Sequence, residues 1–168
     1  MKNLFIGLIF LAVGIGLAWW GKGMLNDAKA SKSWPSVQGT VMESTLTSYK
    51  STSGSGSKKR STTMYKPQIT YRYKIAGKEH VGDKVTMSDG GSSSTSYAKK
   101  TIKKYPAGAT VKVFYDPEVP ADSVLEPGAT LVSYVPFWFG LVFAIIGGFT
   151  FLGGIFRVIR KIFMLGVS

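Results

Sequence analysis

Cysteine is absent from this 168-residue sequence, and histidine occurs once. The first absence removes disulfides, thiolate metal sites, a cysteine nucleophile and a lipidated N-terminal cysteine. The second makes metal-hydrolase and catalytic-triad schemes hard to assemble. Charge is also sparse, at 18% of residues, against roughly 25% in an ordinary soluble domain. Acids are the scarcer sign: 9 Asp and Glu stand against 21 Lys and Arg, a net charge of +12. Such a balance draws anions. No internal repeat is visible.

What is abundant is apolar sequence, 45% of the residues with a mean hydropathy of +0.12, and it is concentrated in two runs. The first lies between Lys2 and Lys22, with the core Leu4 to Trp20. A spanning helix needs roughly 20 apolar residues at about 1.5 Å each, so this run is short but adequate. Trp19 and Trp20 sit where an interfacial aromatic belt would lie. A cleavable signal peptide is the competing reading. Its Ala28-Lys29-Ala30 pattern falls about ten residues beyond the apolar run, which favours a retained anchor. The second run carries no charge from Pro127 to Arg157 and is long enough to tilt across a bilayer. Pro136 is expected in its first turns, where a missing amide costs least.

Orientation follows from the Lys and Arg bias at the span ends. Arg157, Arg160 and Lys161 follow the second run, whereas Tyr115 to Thr130 before it contains Asp116, Glu118, Asp122 and Glu126 and no cation. The first run points weakly the other way, with Lys2 before it and Lys22, Lys29 and Lys32 after it. Two spans put both termini on one side, and the stronger asymmetry assigns that side to the cytoplasm. Both runs carry small residues at four-residue spacing: Ala12 with Gly16, Gly14 with Ala18, and Gly140, Ala144 and Gly148 in series. Such faces let helices approach closely, here on each other or on a second copy. Neither run holds an internal ionisable residue, which argues against a transporter or channel acting alone.

The middle alternates with a period of two. In Tyr65 to Ile75 every odd position is apolar and every even one polar, the pattern of a strand with one wet face; Pro67 places its beginning at an edge or bulge. Ala76-Gly77-Lys78 turns into Glu79 to Met87, where Val81, Val85 and Met87 are expected on one face. Val37, Gly39 and Val41 begin an earlier strand with a bulge near Met42-Glu43, and Ala109 to Tyr115 forms another after the turn Pro106-Ala107-Gly108. Ser51 to Thr63 and Ser88 to Thr95 are too polar to build a core and are expected to be loops. Ser96 is expected to cap a short helix to about Lys104, with Ala98, Ile102 and Tyr105 inward and Lys99, Lys100, Lys103 and Lys104 outward.

The predicted organisation is mainly β with two transmembrane helices. A small antiparallel sheet or barrel-like domain with one short helix is held between an N-terminal and a C-terminal membrane helix. Its segments are residues 1–21 (first span), 22–33 (connector), 34–126 (extracytoplasmic β domain), 127–156 (second span) and 157–168 (basic cytoplasmic tail). The ordered series Trp34, Val37-Gln38-Gly39-Thr40-Val41, Tyr65 to Tyr73, Gly77, Tyr105-Pro106-Ala107-Gly108 and Val111 to Pro117, then Pro120, Ser123 and Leu125, resembles a bacterial membrane-protein family of the domain-of-unknown-function 3592 type. The resemblance implies a β domain tethered by flanking helices, and no activity.

Chemical motifs fail on spacing. Gly54 to Ser61 resembles a phosphate-binding loop, but Ser57 stands where glycine must precede lysine, and a strand follows instead of a helix. His80 faces away from Glu79 and Asp83 on alternating strand positions, so a metal site is not expected. The serines lie in polar loops rather than at a rigid elbow. No catalytic, cofactor or metal residue is therefore assigned, and the chain is expected not to be an enzyme. Residues 33–115 hold 14 Lys and Arg against 4 Asp and Glu, with Lys58-Lys59-Arg60 and the four-lysine helix face as the two concentrations. Contact with anionic lipid headgroups, an anionic envelope component or an acidic protein partner follows, beside the plain reading of a solvated face. Tyr71, Arg72 and Tyr73 do not argue for nucleic acid, because strand alternation accounts for the tyrosines. The expected role is a plasma-membrane binding or scaffold protein; an immunity-type protein against a toxin and an accessory subunit of a transporter are the alternatives.

Overall fold

The computed structural model describes residues 2–54 and 59–165. Element order is α1 (Lys2–Ala30), a 3-10 turn (Ser31–Ser33), β1 (Ser36–Ser53), β2 (Arg60–Ile75), β3 (Lys78–Gly82), α2 (Thr95–Lys104), β4 (Thr110–Tyr115), β5 (Ser123–Val124) and α3 (Leu131–Leu165). The chain divides into a helical unit, up to Asp27 and from Ala129 onward, and a β unit, Ala28–Gly128.

The β unit is one antiparallel sheet of five strands in the order β3-β2-β1-β4-β5. It nearly closes on itself. Beyond β3 and β5 the chain continues into a seam, where the Glu126 amide donates to the Val85 carbonyl at 2.7 Å and the Leu125 amide donates to it at 3.1 Å. Val41, Ile69, Tyr71, Tyr73, Val85, Tyr105, Val113 and Leu125 fill the interior. From Pro67 to Tyr73 the odd positions of β2 point inward, as their alternation requires, and the register of β1 against β2 shifts between Val41 and Glu43 at the expected bulge. Ala76 (φ 46°) and Gly77 (φ 84°) both adopt the left-handed region that a two-residue hairpin turn demands.

Two tyrosines close the sheet. The Tyr71 hydroxyl lies 2.9 Å from the carbonyls of both Lys84 and Ser123, so its one proton is shared across the seam, and 3.1 Å from Ser123 Oγ. The Tyr73 hydroxyl donates to the Pro120 carbonyl at 2.8 Å. Close packing needs room: a Cβ on Gly82 would lie 2.5 Å from the Tyr71 ring, and one on Gly39 would meet the Val113 side chain at 2.7 Å and the Arg72 carbonyl at 2.8 Å. Glycine in these strands is thus a packing requirement.

Several expectations need correction. Ser51–Ser53 and Arg60–Thr63 are not loops but paired rungs of the β1–β2 ladder, with Ser53 opposite Arg60. Backbone pairing alone extends this ribbon, and its residues are exposed on both faces. Val81 does not share a face with Val85: it is 60% exposed, whereas Gly82 and Val85 are buried, because β3 ends at Gly82 and the chain bends before the seam. The cap of α2 is Ser94, whose hydroxyl accepts from the Ser96 amide, two residues before the expected position.

In the helical unit, α1 and α3 are long and apolar enough to cross a membrane. Helix α1 continues through most of residues 22–33, and α3 through Arg157, Arg160 and Lys161. The two helices mesh along glycines spaced by seven. A Cβ added at Gly7, Gly14 or Gly21 would collide with the backbone at Phe151, Ala144 or Phe137; one at Gly140 or Gly147 would collide with that at Ala18 or Leu11, and one at Gly154 would crowd Leu4. Steps of seven on one helix therefore meet steps of seven on the other, in antiparallel sense. This is the 3.5-residue period of a coiled-coil seam, with glycine in place of large knobs. Gly140 and Ala144 lie in the seam, but Gly148 meets only the Leu11 side chain, at 3.9 Å, and Gly147 occupies the close contact. The Phe10 and Phe143 rings stack alongside, centroids 5.6 Å apart.

Two outcomes follow. Gly14→Leu drives a side chain into the α3 backbone and should destabilise the helix pair by about 1–3 kcal/mol or separate it. Gly16→Leu, where a Cβ meets open space, should not. Thermal loss of helical circular dichroism in detergent separates the two. Tyr71→Phe should cost about 1–3 kcal/mol by removing the buried proton shared between the Lys84 and Ser123 carbonyls. Burial, only partly offset by the Ser123 hydrogen bond, pushes the Tyr71 hydroxyl well above its usual value. The stability it contributes is complete below the unfolded tyrosine value of about 10 and falls as pH rises beyond it. Melting followed by near-ultraviolet circular dichroism from pH 9 to 11 should show that decline, and it should be shallower in Tyr71→Phe.

Candidate functional site

The positive charge of the β unit is displayed on two elements. Helix α2 is capped by Ser94, and Ala98 and Thr101 are buried while Ile102 is half-buried. That stripe fixes the rotation of the helix and leaves Lys99, Lys100, Lys103 and Lys104 exposed. The four are not equivalent. Lys104 Nζ lies 2.6 Å from Glu126 Oε1, which also accepts from the Tyr105 hydroxyl at 2.9 Å. Partial burial raises the Glu126 carboxyl, but the Lys104 and Tyr105 hydrogen bonds outweigh it and hold the group below its usual value. The same contact with Glu126, followed by that with Tyr105, raises the Lys104 ammonium. Lys104 is thus tied to the end of the sheet seam, whereas Lys99, Lys100 and Lys103 form no ion pair among the described residues.

At the far end of the β1–β2 ribbon, Lys59 and Arg60 are exposed, and Lys58 lies outside the described residues. A second basic surface escaped the sequence reasoning. On the outer face of the sheet, Arg72 stands opposite Thr40, which stands opposite Thr110, and Gln38 stands opposite Lys112. Gln38, Thr40, Arg72, Lys74 and Thr110 border an open groove of about 440 Å³, and Lys112 lies two residues beyond Thr110 on β4. Arg72 reaches Glu79 at 3.6 Å, and Lys112 lies 5.2 Å from the Phe114 ring centroid. The signal was present in the polar even positions of β2; what was missing was the register that aligns Arg72, Thr40 and Thr110 across three strands and sets Lys112 opposite Gln38.

Several other titratable groups serve the fold. Asp89 accepts from the Val85 and Thr86 amides at 2.6 and 3.0 Å and from the Thr86 hydroxyl at 2.7 Å, which closes the turn after the seam. Lys84 and Asp122 pair at 2.6 Å across the seam. His80 stacks on Tyr73 with ring centroids 5.5 Å apart, while its neighbour Glu79 faces Arg72. No group of three His, Asp or Glu side chains converges among the described residues. The geometry therefore offers charge display: exposed cations on a helix and a sheet, held by a rigid closed core.

Residues 37–130, more than half of the chain, match the family described as a domain of unknown function, DUF3592. The chain belongs to the DUF3592 family. No curated protein matches it. The DUF3592 region starts within β1 and ends at the approach to α3, so it coincides with the sheet. The residues that carried the resemblance are those that build this sheet: Tyr71 and Ser123 at the seam, Tyr73 with Pro120, Gly108 (φ 81°) in the turn before β4, and Leu125 in the core. What distinguishes DUF3592 in this chain is its closure, and the exposed cations lie on top of that frame.

Proposed function

We propose that this protein is a two-span plasma-membrane protein whose β domain faces away from the cytoplasm and binds an anionic surface or partner without catalysing a reaction. The observation that carries the reading is the contrast between the two units. Outward residues of the helical unit are large and apolar, among them Phe5, Ile9, Val13, Phe139, Phe149 and Leu152, each more than 45% exposed. Water is a poor solvent for so long an apolar surface, and a bilayer core is a good one. The β unit instead exposes lysines and serines. Arg157, Arg160 and Lys161 at the end of α3 favour a cytoplasmic location for both termini, against the acidic approach to α3.

The basic face of α2 is the proposed contact. Three lysines on adjacent turns, held by a rigid scaffold and free of carboxylates, attract phosphate or carboxylate groups of lipids, envelope polymers or an acidic protein. A scaffold role is compatible with the same surface, because one domain then bridges its own membrane and a charged neighbour.

Reporter fusions test the placement. A fusion inserted after Gly54 should score as extracytoplasmic and one after Ser168 as cytoplasmic; the reverse pair would overturn the orientation. The contact is tested on residues 28–128 with phosphatidylglycerol vesicles. Co-sedimentation at low salt should weaken steeply near physiological salt, where the screening length is about 8 Å. Lys99→Gln, Lys100→Gln and Lys103→Gln combined should remove most of the binding without moving the melting temperature, since exposed charges contribute little to stability. Equal sedimentation of both forms, or none by either, would leave α2 as a solvated face.

A further inference from the structure

The helical unit carries a groove that the seam between its helices does not explain. It has a volume of about 560 Å³ and lies between α1 and α3. Its floor is low because Ala18 and Ala144 belong to the small-residue seam, and its walls are Ile15, Trp19, Phe137 and Leu141. One end is polar. Lys22 and Asn26 stand one helical turn apart on the same side of α1, with Gly23 between them in sequence and also lining the groove.

Gly23 is the telling residue. Glycine is the poorest helix former after proline. The glycines of the seam are required by backbone contact, but a Cβ at Gly23 would meet nothing within 4 Å. Packing does not demand glycine here; its effect is to leave the groove open beneath Lys22. Lys22 is exposed and makes no ion pair among the described residues. Asp27, the sole acid of α1, is five residues further on, about 140° around the helix. The lysine charge is therefore left for something outside the chain.

We propose that this groove holds one anionic phospholipid, with an acyl chain along Ile15, Phe137 and Leu141 and its phosphate at Lys22, where the Asn26 amide donates a second hydrogen bond. An apolar trough with a cation and an amide at one end matches an amphiphile that has an anionic head and a hydrocarbon tail. A protein helix would fill the trough but leave the lysine uncompensated, and a soluble anion would leave the apolar walls bare. The inference rests on the membrane reading above and adds a specific lipid site to it, separate from the lysines of α2.

The test uses the full chain purified in detergent and native mass spectrometry with three probes of matched acyl chains: phosphatidylglycerol, phosphatidylcholine and diacylglycerol. Wild type should retain phosphatidylglycerol about fivefold over phosphatidylcholine, the effect of one lysine near a headgroup. Lys22→Gln should bring that ratio to about one while diacylglycerol retention stays unchanged. Gly23→Leu, which fills the open space, should lower retention of all three. Helical circular dichroism should be the same for the three proteins, since neither substitution touches the seam. Equal retention of both phospholipids by wild type, a ratio untouched by Lys22→Gln, or retention indifferent to Gly23→Leu would each overturn the site. Alkaline carbonate extraction of the same proteins from cells keeps the two readings apart: release of wild type into the supernatant defeats the membrane reading, whereas retention in the pellet without lipid preference defeats only the groove.

Discussion

The hydroxyl of Ser31 joins the beginning of the β unit to its end. Fully buried, it donates to the Ala28 carbonyl at 2.8 Å and accepts from the Gly128 amide at 2.8 Å, across a sequence separation of 97 residues. Gly128 is at φ 109°, and a Cβ there would meet the Lys32 side chain at 2.6 Å, so the closure depends on glycine as well as on serine. The β unit thereby returns the chain beside the point where it started. Within the helical unit, by itself, α1 and α3 pair antiparallel through the meshing of Gly7, Gly14 and Gly21 with the α3 backbone.

The same economy governs the sheet. A five-stranded antiparallel sheet has two edges, and unpaired edges recruit other chains. Here the seam at Val85 and Leu125 joins them, and Tyr71 bridges its carbonyls from inside the barrel. Aromatic and aliphatic side chains fill the interior. The exposed cations lie outside it, on α2, on the outer sheet face and at the end of the β1–β2 ribbon. That is consistent with a family recognised by the residues of its frame.

How much of this could be read from the sequence depended on whether side chains or backbone did the work. The alternation of Tyr65 to Ile75, the bulge after Val41, the turn at Gly77 and the two apolar helices all appear, because burial imprints a period on the residues concerned. Ser51–Ser53 and Arg60–Thr63 did not appear as strands, since a ribbon with two wet faces needs no apolar period. Val81 misled because a strand ends where the chain bends, and nothing in the residue itself marks the bend. Four-residue spacing of small residues suggested Gly148, whereas antiparallel meshing follows seven and uses Gly147. At the charged surface, the exposure of all four α2 lysines was legible from helical periodicity. The capture of Lys104 by Glu126 was not, because those residues are 22 apart in sequence and meet only through the closed seam.

The seven-residue glycine spacing has a consequence for how such a chain tolerates changes in length. One residue inserted within α1 turns every later position by about 100°, so Gly14 and Gly21 would leave the seam together and bulky neighbours would enter it. The helix pair is therefore length-locked and admits insertions only in steps that restore the phase. The β1–β2 ribbon is the opposite case. Adding two residues, one on each strand, merely adds a rung beyond Ser53 and Arg60, with no core to disturb. Divergence among chains of this architecture should collect as hairpins of unequal reach, while the two helices keep their count.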